Sequence, residues 1–236
     1  MNKSKSLGVI VPFFNEEKFL NESIERLLKL DIIDQIVLVD DCSTDTSYSI
    51  AAEICKNNDK VSITKTTANE GKGNAVKLGL GFITTSHVII HDADLEYFPE
   101  DIPEMYENVS LEKNNLILGS RTIGSKERTS LYFYTYFGNK ILTAIFSILN
   151  NYRVSDIASC YWMVNVQSLN EIGISEKGFA IEVEVLSKFI KNNIPIIEVP
   201  IRYEGRSYED GKKIKLKDGI KIFLKILKYS QLNLLN

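Results

Sequence analysis

The sequence predicts an α/β fold with a mostly parallel central sheet and helices on both of its faces. Two observations predict it. Apolar runs of four to six residues alternate with longer segments of helical period, and each run in the first half ends in a polar cluster. LGVIV (7–11), QIVLVD (35–40), VSITKT (61–66), HVIIHD (87–92) and LILGS (116–120) read as strands. Between them, Lys18 to Leu30 carries the stripe Phe19, Leu20, Ile24, Leu27 and Leu28, and Asp45 to Lys56, Gly73 to Ile83 and Ile102 to Asn114 read as helices. After about residue 122 the pattern changes. Thr129 to Asn151 is an aromatic helix, ASCYWMVN (158–165) a strand, Ile181 to Lys191 a helix and IPIIEVPIRY (194–203) a strand. Ile214 to Leu227 reads as an amphipathic helix studded with lysines. The expected organisation is one domain over 1–236, with a nucleotide-binding half (1–121) and an acceptor-binding half (122–236).

Composition narrows the function. The chain has 236 residues, 44% apolar and 25% charged, with a formal net charge of -3. That is ordinary for a soluble protein and argues against a nucleic-acid binder, which is usually basic. Cys42, Cys55 and Cys160 share no C-x-x-C spacing and read as reduced thiols of a cytoplasmic protein. The early apolar run LGVIVPFF lacks a small-residue cleavage site and reads as a strand, not a leader. No run reaches the roughly 18 uncharged apolar residues of a spanning helix.

The strand exits carry the chemistry, because ligands of open α/β sheets lie beyond the carboxyl ends of the strands. The first, VPFFNEE, has neither the G-x-G-x-x-G of dinucleotide folds nor a P-loop. Pro12 fixes the backbone there, Phe14 is suited to stack on a base, and Glu16 to accept from base or ribose. Asn15 and Glu16 equally suit a helix cap. In VDDCSTDTS, adjacent Asp40 and Asp41 point to opposite sides, so one carboxylate can face the crevice and meet the N–H edge of a base. NEGKGNAVKLGL sets glycines around Lys72 just before a helix, for close backbone approach and positive charge. In HDADLEYFPED, an extended chain brings Asp92, Asp94 and Glu96 onto one face. Such carboxylates repel unless a cation intervenes, and oxygen-only ligands suit Mg²⁺ or Mn²⁺ shared with a diphosphate. Ala93 leaves room for a nucleotide. Arg121, Arg128 and Arg202 lie at or after strand ends as candidate anion clamps, with Arg206, Lys212 and Lys213 in the following loop.

VPFFNEE, VDDCSTDTS, NEGKGNAVKLG and DADLE occur in the order and at the spacing of the family-2 glycosyltransferases with a GT-A fold. The later segments GSR, SDIASCYWMV, FAIEVEVLSKFIKNNIPIIEVPIRYEGRS and GKKIKLKDG resemble more narrowly the dolichyl- and polyprenyl-phosphate mannose and glucose synthases. The resemblance implies that Pro12, Phe14, Asn15, Glu16, Asp41, Lys72, Asp92, Ala93 and Asp94 surround a nucleotide sugar. It implies a Mg²⁺ or Mn²⁺ ion on Asp92, Asp94 and Glu96, where Glu96 replaces a frequent Gln. Arg121, Arg128 and Arg202 are then expected at an acceptor phosphate, and Asp94, Asp156, Arg121 and Arg202 form the expected catalytic set. Cys160-Tyr161-Trp162 departs from the Gly-Phe-Arg common in the mannosyl enzymes, so the sugar stays open.

The implied reaction is an inverting displacement on a GDP-mannose- or UDP-glucose-type donor by a lipid phosphate. A hydroxyl acceptor of capsule, lipopolysaccharide or another glycan is the alternative, and it requires a carboxylate base, for which Asp156 is the candidate. A sugar-1-phosphate nucleotidyltransferase needs a Gly-rich basic first loop, which VPFFNEE is not. A non-catalytic sugar-nucleotide binder is disfavoured by the Asp92/Asp94 pair and the strand-end arginines. Residues 202–236 hold nine Lys/Arg against four Asp/Glu. With the aromatic helix 129–151, that excess suits peripheral contact with the inner face of an anionic membrane.

Overall fold

The computed structural model describes residues 5–110, 114–129, 133–206 and 216–232. In chain order the elements are β1 (Leu7–Phe13), α1 (Leu20–Leu28), β2 (Ile33–Asp40), α2 (Ser47–Lys56), β3 (Val61–Lys65), α3 (Lys72–Leu80) and β4 (His87–Ile90). A 3₁₀ turn (Pro99–Asp101) leads into α4 (Ile102–Glu107), β5 (Leu116–Ser120), β6 (Arg128–Thr129) and α5 (Phe133–Asn150). Then follow β7 (Trp162–Asn165), α6 (Val166–Ile172), α7 (Ile181–Lys191), β8 (Ile196–Pro200), β9 (Tyr203–Glu204) and α8 (Leu216–Tyr229).

Seven strands form one sheet in the order β3-β2-β1-β4-β7-β5-β8. β1 to β4 run parallel, as do β5 and β8, while β7 is antiparallel to both of its neighbours. Phe13 lies opposite Asp40, and Ile10 opposite Ile90, so the exits of β1, β2 and β4 open on one edge of the sheet. β6 and β9 pair separately.

Both faces are covered, which is why the strands read as unbroken apolar runs. On one face Leu20, Ile24 and Leu27 of α1 are fully buried against Val9, Val11 and Leu38. Truncating any one of the three to Ala costs about 2–5 kcal/mol through lost burial and the cavity left behind. The other face is packed by Ala75, Val76, Phe146 and Phe189. Gly79 lets α3 lie directly on the sheet, because a Cβ there would stand 2.8 Å from the Ile10 side chain.

The strands over 7–11, 35–40, 61–66, 87–92 and 116–120 are observed within one or two residues at most ends. The helix expected over 181–191 is observed with those bounds and α8 runs to Tyr229, past the expected Leu227, whereas α1, α2 and α4 are shorter than their apolar periodicity suggests. The one expected over 102–114 stops at Glu107, and the strand expected over 158–165 begins only at Trp162. The strand expected over 194–203 is divided between β8 and β9. The expected helix over 129–151 begins at Phe133 because Arg128 and Thr129 pair with Tyr203 and Glu204. Residues 130–132 and 214–215, which fall in expected helices, lie outside the described residues.

Candidate active site

At the exits of β1, β2 and β4 lies a cleft of about 410 Å³, closed on the far side by α5, α7 and α8. Of the residues expected at the nucleotide sugar, Pro12, Phe14, Glu16, Asp41, Lys72, Asp92, Ala93 and Asp94 line it. Asn15 does not. It is exposed at φ +51°, its amide oxygen accepts the Thr44 N–H at 2.8 Å, and its own N–H donates to Ser43 Oγ. It therefore ties the β1 exit to the β2 exit. Asp41 is also committed to a loop: its two carboxylate oxygens accept the N–H groups of Glu70 and Gly71 and the Thr66 hydroxyl. Those bonds hold the Gly-rich segment open. Gly71 sits at φ +100°, and a Cβ on Gly73 would stand 2.2 Å from the Glu176 carbonyl, so neither tolerates a side chain.

The acidic loop departs from the extended exit that was expected. β4 ends at Ile90, and Leu95 takes φ +60°, a left-handed turn held by the Glu96 N–H donating to Asp94 Oδ1. Asp92, Asp94 and Glu96 all line the cleft, each held by a different partner. Asp92 turns to the Lys72 ammonium at 3.0 Å, and Lys72 also meets Glu182 Oε1 at 2.9 Å. Glu96 accepts from Tyr203 Oη at 2.7 Å and from the Arg206 N–H at 2.8 Å. Asp94 meets the Arg206 guanidinium at 3.2 Å, and that guanidinium also engages Glu16 at 3.0 Å. Among the described residues no three His, Cys, Asp or Glu side chains gather into a closed metal cage, so an ion held by Asp92, Asp94 or Glu96 would draw its remaining ligands from elsewhere.

Electrostatics separate the two aspartates. Burial disfavours the charge of Asp92, but the Lys72 ammonium outweighs it and holds its pKa below the ordinary value. Burial together with the charges of Glu96 and Asp92 pushes Asp94 up to about 7, against the opposing pull of Arg206. The guanidinium of Arg206 thus pairs with two carboxylates, Asp94 and Glu16, while its backbone N–H meets a third, Glu96. An oxygen-only donor set with more negative charge than its counter-ion offsets fits a hard divalent cation that completes its shell with phosphate oxygens.

A buried polar and aromatic layer supports the acidic loop. His91 Nε2 lies 2.9 Å from Ser23 Oγ and Nδ1 lies 2.6 Å from Tyr161 Oη, linking α1 to the residue before β7. Burial lowers its pKa to about 4, so it is neutral. Tyr97 stacks on Tyr161 at 4.7 Å.

On the acceptor side, Arg121 lines the cleft and Asp156 does not. The two form a buried bidentate pair at 2.7 and 2.8 Å, and Asp156 also accepts the Arg121 N–H. That carboxylate is engaged in holding Arg121 in place. Arg128 stands behind Arg121. One of its Nη groups donates to the Arg121 carbonyl, its guanidinium lies 4.4 Å from the Tyr136 ring, and its buried Nε has no hydrogen-bond partner. Burial and the Arg121 charge lower its pKa. Among the described residues Arg128 has no carboxylate partner. Arg202 lies elsewhere: it is paired with Asp101 at 3.1 Å and stacked 4.9 Å from Phe98, outside the cleft lining. The buried Asp101 holds its guanidinium there, so the expected place at an acceptor phosphate requires that pair to open.

The profile of Glycosyl transferase family 2 matches residues 8–173. The chain belongs to that family. Over 242 residues it is 28% identical to a UDP-N-acetylglucosamine–dolichyl-phosphate N-acetylglucosaminyltransferase of Methanococcus voltae, covering 94% of this chain and 95% of that protein. It is 26% identical to a dolichol-phosphate mannosyltransferase of Pyrococcus furiosus over 216 residues, 88% of this chain and 60% of the longer relative. A crystal structure of glucosyl-3-phosphoglycerate synthase from Mycobacterium tuberculosis with UDP superposes with a TM-score of 0.73 at 16% identity, covering 96% of this chain and 80% of that one. The same synthase has been crystallised with Mg²⁺ and UDP. The fold of this family-2 glycosyltransferase is GT-A.

Two cleft residues of this family-2 enzyme escaped the sequence reading. Arg206 was visible only as one loop cation among several, because its carboxylate partners are 112 and 190 residues away. Glu182 carried a signal: FAIEVEVL places acids inside an apolar run at a helix start, and such acids are seldom buried without a partner.

Proposed function

We propose that the enzyme moves a hexose from a nucleoside-diphosphate sugar to a polyprenyl or dolichyl phosphate at a membrane surface, with inversion and with Mg²⁺ or Mn²⁺. The observation that carries this reading is the polarity of the cleft. At one end, among the described residues, the carboxylates of Asp94, Glu96 and Glu16 gather around one cation, Arg206. At the other, Arg121 lines the wall, and Arg128, behind it and outside the lining, has no carboxylate partner among the described residues, which favours an anionic acceptor. A phosphate oxygen already carries the electron pair that attacks the anomeric carbon. The new carbon–oxygen bond forms as the bond to the nucleoside diphosphate breaks, and no base is required. The hydroxyl-acceptor alternative loses its candidate base, since Asp156 is held by Arg121. The metal, on Asp94 with Glu96 or Glu16, offsets charge on the leaving diphosphate when bound. Phe14, Asp41 and the Gly71–Lys72 turn flank the nucleoside. On this reading the two halves, 1–121 and 122–236, act as one domain.

The membrane part of the proposal draws on α5 and α8. No helix among the described residues is long and apolar enough to cross a bilayer. Thr135, Asn139 and Leu142 of α5 and Ile222 of α8 line the cleft, while Phe137 and Ile141 of α5 and Ile220 and Leu224 of α8 are exposed. Lys221, largely exposed, and Lys225 stand beside them. Apolar side chains flanked by lysines suit the interface of an anionic bilayer. The test supplies UDP-glucose, UDP-N-acetylglucosamine or GDP-mannose with Mn²⁺ and undecaprenyl phosphate in anionic vesicles. Lipid-linked sugar is expected from one of them. Transfer to a sugar hydroxyl with none to the lipid phosphate overturns the reading.

A further inference from the structure

Glu182 is a buried cleft carboxylate that the reaction described above leaves without a task. It stands in the first turn of α7 at 6% exposure and shares the Lys72 ammonium with Asp92. One ammonium needs one carboxylate. Asp92 alone satisfies Lys72, so Glu182 leaves one negative charge in surplus in a nearly closed place, which is unfavourable unless other donors offset it. The N-terminus of α7 supplies part of that offset. The cleft that Glu182 lines also carries apolar side chains, among them Ala75, Leu142, Ile157 and its neighbour Val183. Acceptor oxygens beside an apolar wall match the chemistry of a pyranose, which presents C–H faces and a rim of hydroxyl donors. Position agrees with chemistry. Asp92 stands two residues from Asp94, so the Lys72–Glu182 pair borders the place where a diphosphate ends and its sugar begins.

We infer that Glu182 is a specificity-determining residue whose carboxylate accepts a hydrogen bond from a hydroxyl of the donor sugar. This rests on the sugar-nucleotide reading above and adds to it the residue that reads the sugar. A neighbouring acid supplies the contrast. Glu184, fully buried two residues on, accepts the N–H groups of Ser175 and Glu176 and pairs with Lys188, a structural task that is complete.

The test is calorimetric titration in Mn²⁺ of UDP against UDP-N-acetylglucosamine and of GDP against GDP-mannose, with wild type, Glu182→Gln and Glu184→Gln. The quantity of interest is the affinity increment contributed by the sugar. In Glu182→Gln that increment falls by about ten- to hundredfold, the loss expected for one hydrogen bond to a charged acceptor, while the affinity for the bare nucleoside diphosphate is unchanged. Glu184→Gln lowers the melting temperature and leaves the increment intact. Equal loss for the nucleoside diphosphate and its sugar in Glu182→Gln overturns the inference. So does an unchanged increment, including one accompanied by lost turnover, which makes Glu182 a base. A wild type that binds none of the four nucleotides overturns the sugar-nucleotide reading itself, and this inference with it.

Discussion

The cleft holds two charge clusters that differ in how they are built. In the first, Lys72 lies between Asp92 and Glu182, and the three side chains come from the N-termini of α3 and α7 and the exit of β4. In the second, Arg206 reaches Glu16 and Asp94 from a loop, and its backbone N–H meets Glu96. The first cluster is anchored on helix ends against a packed core; the second depends on one loop side chain to offset three carboxylates. The difference teaches where the protein has left room for a cation. Asp92 is held below its ordinary pKa and Asp94 is pushed up to about 7, although they are two residues apart. The Arg206 cluster is the one where the proposed divalent ion and diphosphate would sit.

Asp94→Asn breaks the second cluster where the metal is proposed. Turnover in Mn²⁺ is expected to fall by about a thousandfold, consistent with the loss of a charge that binds a cation at the leaving group. Melting experiments separate this from misfolding, because the variant loses a poorly offset buried charge and stays folded at pH 8. Undiminished turnover sinks the metal assignment.

Removing the two cations sharpens the comparison. Lys72→Ala strands two buried carboxylates and is expected to destabilise the protein by about 3–5 kcal/mol in urea titrations at pH 8. Arg206→Ala also destabilises, but millimolar Mn²⁺ is expected to recover most of its loss and none of the Lys72→Ala loss. Equal recovery in both variants, or in neither, removes the distinction between a closed cluster and an open one.

The pH dependence of the ligand-free protein follows from the same contrast. Asp94 has a folded pKa of about 7, raised above its ordinary value. Its contribution to stability is complete below about pH 4 and is lost as the pH rises through 7, by about 4 kcal/mol. His91 has the opposite sign. Its folded pKa is lowered to about 4, so its contribution is present above about pH 6.5 and is lost as the pH falls toward 4. Wild type therefore shows partial cancellation between pH 4 and 7. Asp94→Asn is expected to uncover a steeper acid loss in melting scans; an unchanged slope shows that Asp94 does not titrate in that window.

What was legible in the sequence depended on how local its physics is. The strands β1 to β5 were readable because both faces of the sheet are covered, which writes buried strands as unbroken apolar runs. The antiparallel direction of β7 was not, since CYWMVN carries no mark of orientation and the sheet order arises from long-range pairing. The cleft-lining Asp41, Lys72, Asp92 and Asp94 stood at strand exits, where short-range motifs announce them. The even spacing of Asp92, Asp94 and Glu96 does bring all three to the cleft, but through a turn at Leu95, in a left-handed conformation that a period of two cannot foresee. Ion pairs were the least readable. Whether Arg121 faces a ligand or Asp156 is settled by a partner 35 residues away.

The smallest effect is expected from Arg202. As a strand-end arginine in the EVPIRY segment it suits an acceptor phosphate, yet its guanidinium is held by Asp101 and Phe98 outside the cleft. Asp101 keeps other partners when that side chain is removed. Lys126 pairs with it at 3.0 Å, and its second oxygen accepts the Arg202 backbone N–H at 2.7 Å, a bond that survives truncation. Arg202→Ala is thus expected to cost about 1 kcal/mol or less, as a partly exposed pair with a second cation in place. It should leave the acceptor KM within about twofold of wild type, whereas Arg128→Ala raises it by about tenfold, the loss of one charged contact to a phosphate. Acceptor titrations of the two variants compare them directly. A larger acceptor defect in Arg202→Ala than in Arg128→Ala returns Arg202 to the phosphate and requires the Asp101 pair to open during the reaction.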